Sequence, residues 1–154
     1  MTEDPFGSLI EWGQVIERLQ QLKKRGELDD AQPGLIRLIC YPDNWRIREQ
    51  ALIAVRQVAL PTSALLKAIA TVLTDTHTYT DARILAAEAL GDLASRGRRA
   101  GPPDGFGPGK IFVILRDQLA TPAAPVLHRA VEEAIRKIER PVVSLRSKAG
   151  LQTC

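Results

Sequence analysis

The chain has 154 residues, of which 45% are hydrophobic and 25% charged, and its formal net charge is +3. That balance fits one ordinary globular domain, long enough to bury roughly 70% of the surface its unfolded form would expose. No apolar run reaches the length of about 18 residues that a membrane span needs, and the amino end is polar and acidic rather than signal-like. Cys40 and Cys154 suggest neither a disulfide framework nor a metal knuckle. A cytoplasmic, non-membrane protein is expected.

The first predicted element opens at Ser8, where Ser8 and Glu11 have the spacing of a capping box. Leu9, Trp12, Ile16 and Leu19 recur on one helical face, and Lys23, Lys24 and Arg25 followed by Gly26 suit a helix end. Further apolar segments run over Pro33 to Tyr41, Thr62 to Thr74 and Lys110 to Ala120. Cys40, in the run Leu35 to Cys40, is expected as a small core residue. Ile111 to Leu115 has strand-like residues, but a lone strand would leave its backbone unpaired, so a buried helix is expected there.

Each of these three segments is followed by a helix built on a common template. Ala54, Ala89 and Ala134 coincide, as do Val55, Leu90 and Ile135, then Val58, Leu93 and Ile138, and one turn earlier Ala51, Ala86 and Val131. Successive copies are offset by 35 and 45 residues. Small residues let helices approach closely while larger neighbours fill the groove, so the pattern predicts repeated stacking of helix pairs. Pro33, Pro42, Pro61, Pro122 and Pro125 fall at the boundaries, where a missing N–H does least harm.

The segment Ala82 to Leu93 (Ala-Arg-Ile-Leu-Ala-Ala-Glu-Ala-Leu-Gly-Asp-Leu) resembles the second helix of HEAT-like repeats, including the variety named after phycobilisome (bilin) lyases. Ile47 to Val58 is a looser copy, and Leu127 to Ile138 departs further, with His128 where Arg48 and Arg83 stand. The resemblance implies an all-α fold: a short right-handed α-solenoid of about three antiparallel helix pairs with an N-terminal capping helix. One domain over residues 1–140 is expected. It carries an inserted Gly/Pro-rich loop at 97–109, where five Gly and three Pro prevent a helix, and a flexible tail follows at 141–154.

Nothing in the sequence reads as a local active-site motif. Gly105 to Lys110 lacks the earlier Gly and the Ser or Thr of a nucleotide-binding P-loop, since Asp104 and Ile111 stand there. His77, between Asp75 and Asp81, has too few convergent partners for a catalytic metal and is expected to serve a turn. No cofactor is expected. An active site assembled from separate helices would leave no local signature, so catalysis stays open as the lesser reading.

Arg48 and Arg83 occupy equivalent slots, and two roles compete: bonding a turn carboxylate or carbonyl, or forming a basic ladder toward a ligand. The resemblance implies the first. Tyr41, Trp45 and Tyr79 fall near inter-helix turns, as plugs of the stack or as anchors for a partner. The leading expectation is a protein-interaction or scaffold module, with Trp45, Arg48, Arg56, Tyr79, Arg83, Arg136 and Lys137 as candidate partner-binding residues and Glu49, Glu88, Asp92 and Glu132 beside them. The alternative is nucleic-acid binding through the basic second half, where Thr78 to Cys154 holds 12 basic and 8 acidic residues. Arg96, Arg98, Arg99 and Lys110 of the loop region, with Arg140, Arg146 and Lys148, would carry it. A third reading, an accessory or lyase-like role toward a bilin or other cofactor, rests on the family resemblance alone.

Overall fold

A computed structural model of the protein describes residues 4–96 and 106–139. Among them are seven α-helices and no strand: α1 Trp12–Arg25, α2 Gln32–Ile39, α3 Trp45–Ala54, α4 Ser63–Thr74, α5 Thr80–Arg96, α6 Pro108–Leu119 and α7 Pro125–Glu139. Short 3-10 turns at Asp29–Ala31 and Val55–Gln57 lead into α2 and out of α3. Ile111 to Leu115 lies inside α6, where the helix satisfies the backbone groups that a lone strand would have left open. The expected loop is shorter than its composition suggested at the carboxyl side, because Pro108 and Gly109 already belong to the first turn of α6. Proline is tolerated there because that N–H has no helical partner. The remainder of the predicted loop, 97–105, and the predicted tail lie outside the described residues, as do Arg98, Arg99, Arg140, Arg146 and Lys148.

The helices pack in two rows. Consecutive helices meet as α2 on α3, α4 on α5 and α6 on α7, while α1, α3, α5 and α7 follow one another in one row and α2, α4 and α6 in the other. The template stripe is buried: Ala54, Ala89 and Ala134 are exposed by only 1%, 0% and 2%. Leu35, Leu38, Ile69, Leu73, Ile111 and Leu115, from the other row, belong to the same buried core. α5 and α7 approach closely at Gly91, where an added Cβ would stand 2.8 Å from the Ala134 Cα. Glycine is required there because two backbones occupy the space a side chain would need.

Local chemistry fixes the connections. Asn44 caps α3 by accepting from the backbone N–H groups of Arg46 and Ile47 at 2.9 and 3.2 Å, and Thr62 caps α4 through Leu65 N at 3.2 Å. The link from α3 to α4 is clamped by side chains before and within α2. Asp29 accepts from Ala59 N and Leu60 N at 2.9 and 2.8 Å, and buried Gln32 donates to the Leu60 carbonyl at 3.0 Å while accepting from Thr62 N at 2.8 Å.

Two expectations at the amino end are corrected. The helix begins at Trp12 rather than Ser8; its cap is Glu11, which makes no side-chain bond to the first turn. Tertiary packing overrides the local capping signal: Phe6 is buried against Gly34, and Leu9 is buried ahead of the helix. Arg37 holds this segment by pairing with Asp4 at 2.8 Å and donating to the Gly7 carbonyl at 2.6 Å. Of the helix residues, Val15 and Leu19 are buried, while Trp12, expected on one face with Leu9, Ile16 and Leu19, is 44% exposed. The helix does end as expected, at Arg25, with Gly26 left-handed at φ 69°. Cys40 is also corrected: α2 stops at Ile39, and the cysteine that follows turns outward and is exposed.

Candidate functional site

The row α1, α3, α5 brings its helix starts to one edge. Trp12 and Trp45 are the first residues of α1 and α3, and Tyr79 immediately precedes α5. Their exposures of 44%, 57% and 38% are high for side chains of this size. Between the tryptophans lies Arg46, its guanidinium carbon 5.5 Å from the centre of the Trp12 ring and 5.3 Å from that of Trp45. A cation at this distance is held by the negative ring faces, so Arg46 keeps both indoles in place without covering them. Tyr79 is tied to the same edge by its hydroxyl, which donates to the Trp45 carbonyl at 3.3 Å. Burial, reinforced by the negative charge of Glu49 nearby, pushes the Tyr79 phenol up to about 12.

Two grooves flank Trp45. One, of about 500 Å³, is lined by Trp12, Ile16, Trp45, Arg46, Glu49 and Gln50. The other, of about 390 Å³, is lined by Trp45, Glu49, Tyr79 and Asp81. Of the aromatics expected at this edge, Trp45 and Tyr79 line it, whereas Tyr41 is half-buried against the core and acts as a plug. Trp12 and Arg46 were missed by sequence reasoning. Trp12 shares the helical face of Val15 and Leu19 but is exposed because it is the first residue of α1, which the helix start expected at Ser8 concealed.

The two arginines in equivalent slots do equivalent things. Arg48 Nε donates to the Ile39 carbonyl at 2.9 Å and Arg83 Nε to the Leu73 carbonyl at 2.8 Å, each closing the end of the preceding helix. At the third slot His128 Nε2 lies 2.8 Å from the Thr121 carbonyl, beyond the end of α6. Arg83 is only 7% exposed and reaches onward to Gln118 Oε1 at 3.0 Å, so its guanidinium lies inside the packing between α5 and α6. Of the two kinds of partner expected for these arginines, a turn carboxylate or a carbonyl, both Nε groups take a backbone carbonyl.

The remaining candidates are distributed elsewhere. Arg56 and Lys137 meet on Asp92, at 2.5 and 2.7 Å, and so join the end of α3 and α7 to α5; Glu88 lies 3.7 Å from Arg56. Burial pushes the Asp92 carboxyl up, but hydrogen bonds from Lys137 and Arg56 and their charges outweigh it and hold the group below its ordinary value. Arg136 pairs with Glu133 one turn earlier at 3.0 Å on the exposed side of α7. Arg96 donates to the Arg56 and Asp92 carbonyls, which directs its guanidinium onto this ion-paired face. Lys110 is exposed in the first turn of α6 and lines neither of the two grooves at Trp45. His77 sits in the turn expected of it, its backbone N–H donating to Asp75 at 2.9 Å, with Thr78 Oγ1 donating to the same carboxylate at 2.9 Å.

Among the described residues no group of three or more His, Cys, Asp or Glu is arranged to hold a metal ion, and no helix is long and apolar enough to cross a membrane. Every buried side-chain nitrogen and oxygen among them has a hydrogen-bond partner. Compared with protein-family models, curated proteins and solved structures, the chain shows no match.

Proposed function

We propose that the chain is a short right-handed solenoid of antiparallel HEAT-like helix pairs, capped by α1, that works in the cytoplasm as a protein-interaction module. The pairing of α2 with α3, α4 with α5 and α6 with α7 supports the repeat reading, as does the same carbonyl-bonding role at Arg48, Arg83 and His128. The interaction reading is carried by one observation: Trp12, Trp45 and Tyr79 stand exposed at one edge, held in position by Arg46 and by the Trp45 carbonyl. Pre-positioned aromatics lose little conformational freedom on binding and are the residue types that dominate interface energetics. By contrast, Arg56 and Lys137 direct their charge onto Asp92 and brace helices against one another, while Arg136 is paired with Glu133 on its own helix.

The test is comparative capture from native lysate with the full chain and its Trp12→Ala/Trp45→Ala variant. The expected result is a protein retained by the first and lost by the second, with the helical circular dichroism of the two unchanged. Retention of the same proteins by both would overturn the proposal.

A further inference from the structure

The aromatic edge has two chemically different halves, and the inference drawn from them rests on that edge being the interaction surface. On the Trp12 side the groove already holds a cation, Arg46. On the Tyr79 side the groove is walled by two aromatic residues and two carboxylates, those of Glu49 and Asp81, with no basic side chain in its lining. The electron-rich faces of Trp and Tyr attract a cation placed within about 6 Å of the ring centre, and a carboxylate at the rim adds a charge-assisted hydrogen bond. Trp45 already accepts a guanidinium in this fold, with Arg46 at 5.3 Å from its centroid. Tyr79 stays a neutral phenol across the physiological range, its hydroxyl engaged with the Trp45 carbonyl.

Three opposing contributions are present, the first being Arg46, whose guanidinium over the Trp45 ring repels a second cation although it does not line this groove. The start of α5 carries partial positive charge, but Asp81, in its first turn, lies where it offsets that charge. Arg48 is near enough to act on Tyr79, yet its Nε is bound to the Ile39 carbonyl and it does not line the groove. The walls therefore favour a positive guest.

We infer that the groove between Trp45 and Tyr79 receives a lysine or arginine side chain from a basic segment of the partner protein, the rings covering the cation and Glu49 and Asp81 accepting its N–H groups. The sign of the whole chain makes this selective. With a formal net charge of +3, non-specific attraction favours acidic partners, so preference for a basic one must come from a local site.

The experiment titrates the isotope-labelled full-length chain with hexalysine, hexaglutamate and a serine hexamer at moderate salt, following the two tryptophan indole N–H signals and the Tyr79 ring. Hexalysine is expected to move the Trp45 and Tyr79 signals saturably, while the serine hexamer leaves them in place. A Glu49→Gln/Asp81→Asn variant should weaken the response roughly tenfold, and Trp45→Ala should do the same with both carboxylates intact. The inference is overturned if hexaglutamate or the serine hexamer moves the same signals as far, or if hexalysine binding is indifferent to both variants. Its failure is distinct from failure of the interaction reading: a lysate partner lost on Trp12→Ala/Trp45→Ala, with no response to hexalysine, keeps the edge and rejects the basic occupant.

Discussion

Arg83 is the residue on which the most depends per atom. Its guanidinium is buried, closes the end of α4 through the Leu73 carbonyl and fastens α6 through Gln118. Arg48 does the first of these jobs at a half-buried position, on the Ile39 carbonyl alone. Hydrogen bonds to charged groups contribute about 1.5–3 kcal/mol each, and truncation also leaves buried acceptors unpaired. Arg83→Ala should therefore cost about 3 kcal/mol in urea unfolding, clearly more than Arg48→Ala. Equal losses for the two would mean that the Gln118 link contributes nothing.

At the scale of elements, two contacts decide how α5 and α7 sit together. The first is steric. Gly91→Val would drive its side chain into the Ala134 backbone, and overpacking of this kind costs about 1–3 kcal/mol. The melting temperature should fall by roughly 3–10 °C, since 1 kcal/mol moves a domain of this size by about 2–4 °C. An unchanged melting temperature would show that the two helices can move apart without loss.

The second contact is ionic. The Asp92 carboxyl ordinarily titrates near 3.8 and is held lower in the folded chain by Lys137 and Arg56. A lowered folded-state value stabilises the fold above the unfolded value and loses that stabilisation as pH falls through the folded one. Stability measured from pH 6 downward should thus drop below about pH 4, and Asp92→Asn should flatten that part of the profile. An identical acid limb in the variant would remove Asp92 from the explanation.

How legible these elements were depends on what each is made of. The template helices could be read because burial on one face imposes a period, and Ala54, Ala89 and Ala134 keep it; the left-handed Gly26 was legible because helix ends have local chemistry. The amino end was not, because Phe6 on Gly34 and Arg37 on Asp4 are contacts across about thirty residues that no local capping rule contains. Cys40 was misplaced by a single helical step: the apolar run continues one residue past the helix that buries it. Arg46 was invisible because its role depends on the lateral spacing of α1 and α3.

In the whole molecule, the ion pairs on Asp92 tie the end of α3, α5 and α7 together along one row, and the aromatic edge is the surface proposed to meet another molecule. The chain contains two tryptophans, Trp12 and Trp45, and both line the same groove, so intrinsic fluorescence reports on that edge alone. The most direct measurement is tryptophan emission and acrylamide quenching while a protein retained by the chain is titrated in. A partner seated on the aromatic edge should give a blue shift and reduced quenching that saturate together with binding measured by calorimetry. Calorimetric binding with unchanged emission and quenching would place the partner elsewhere and contradict the proposed role of that edge.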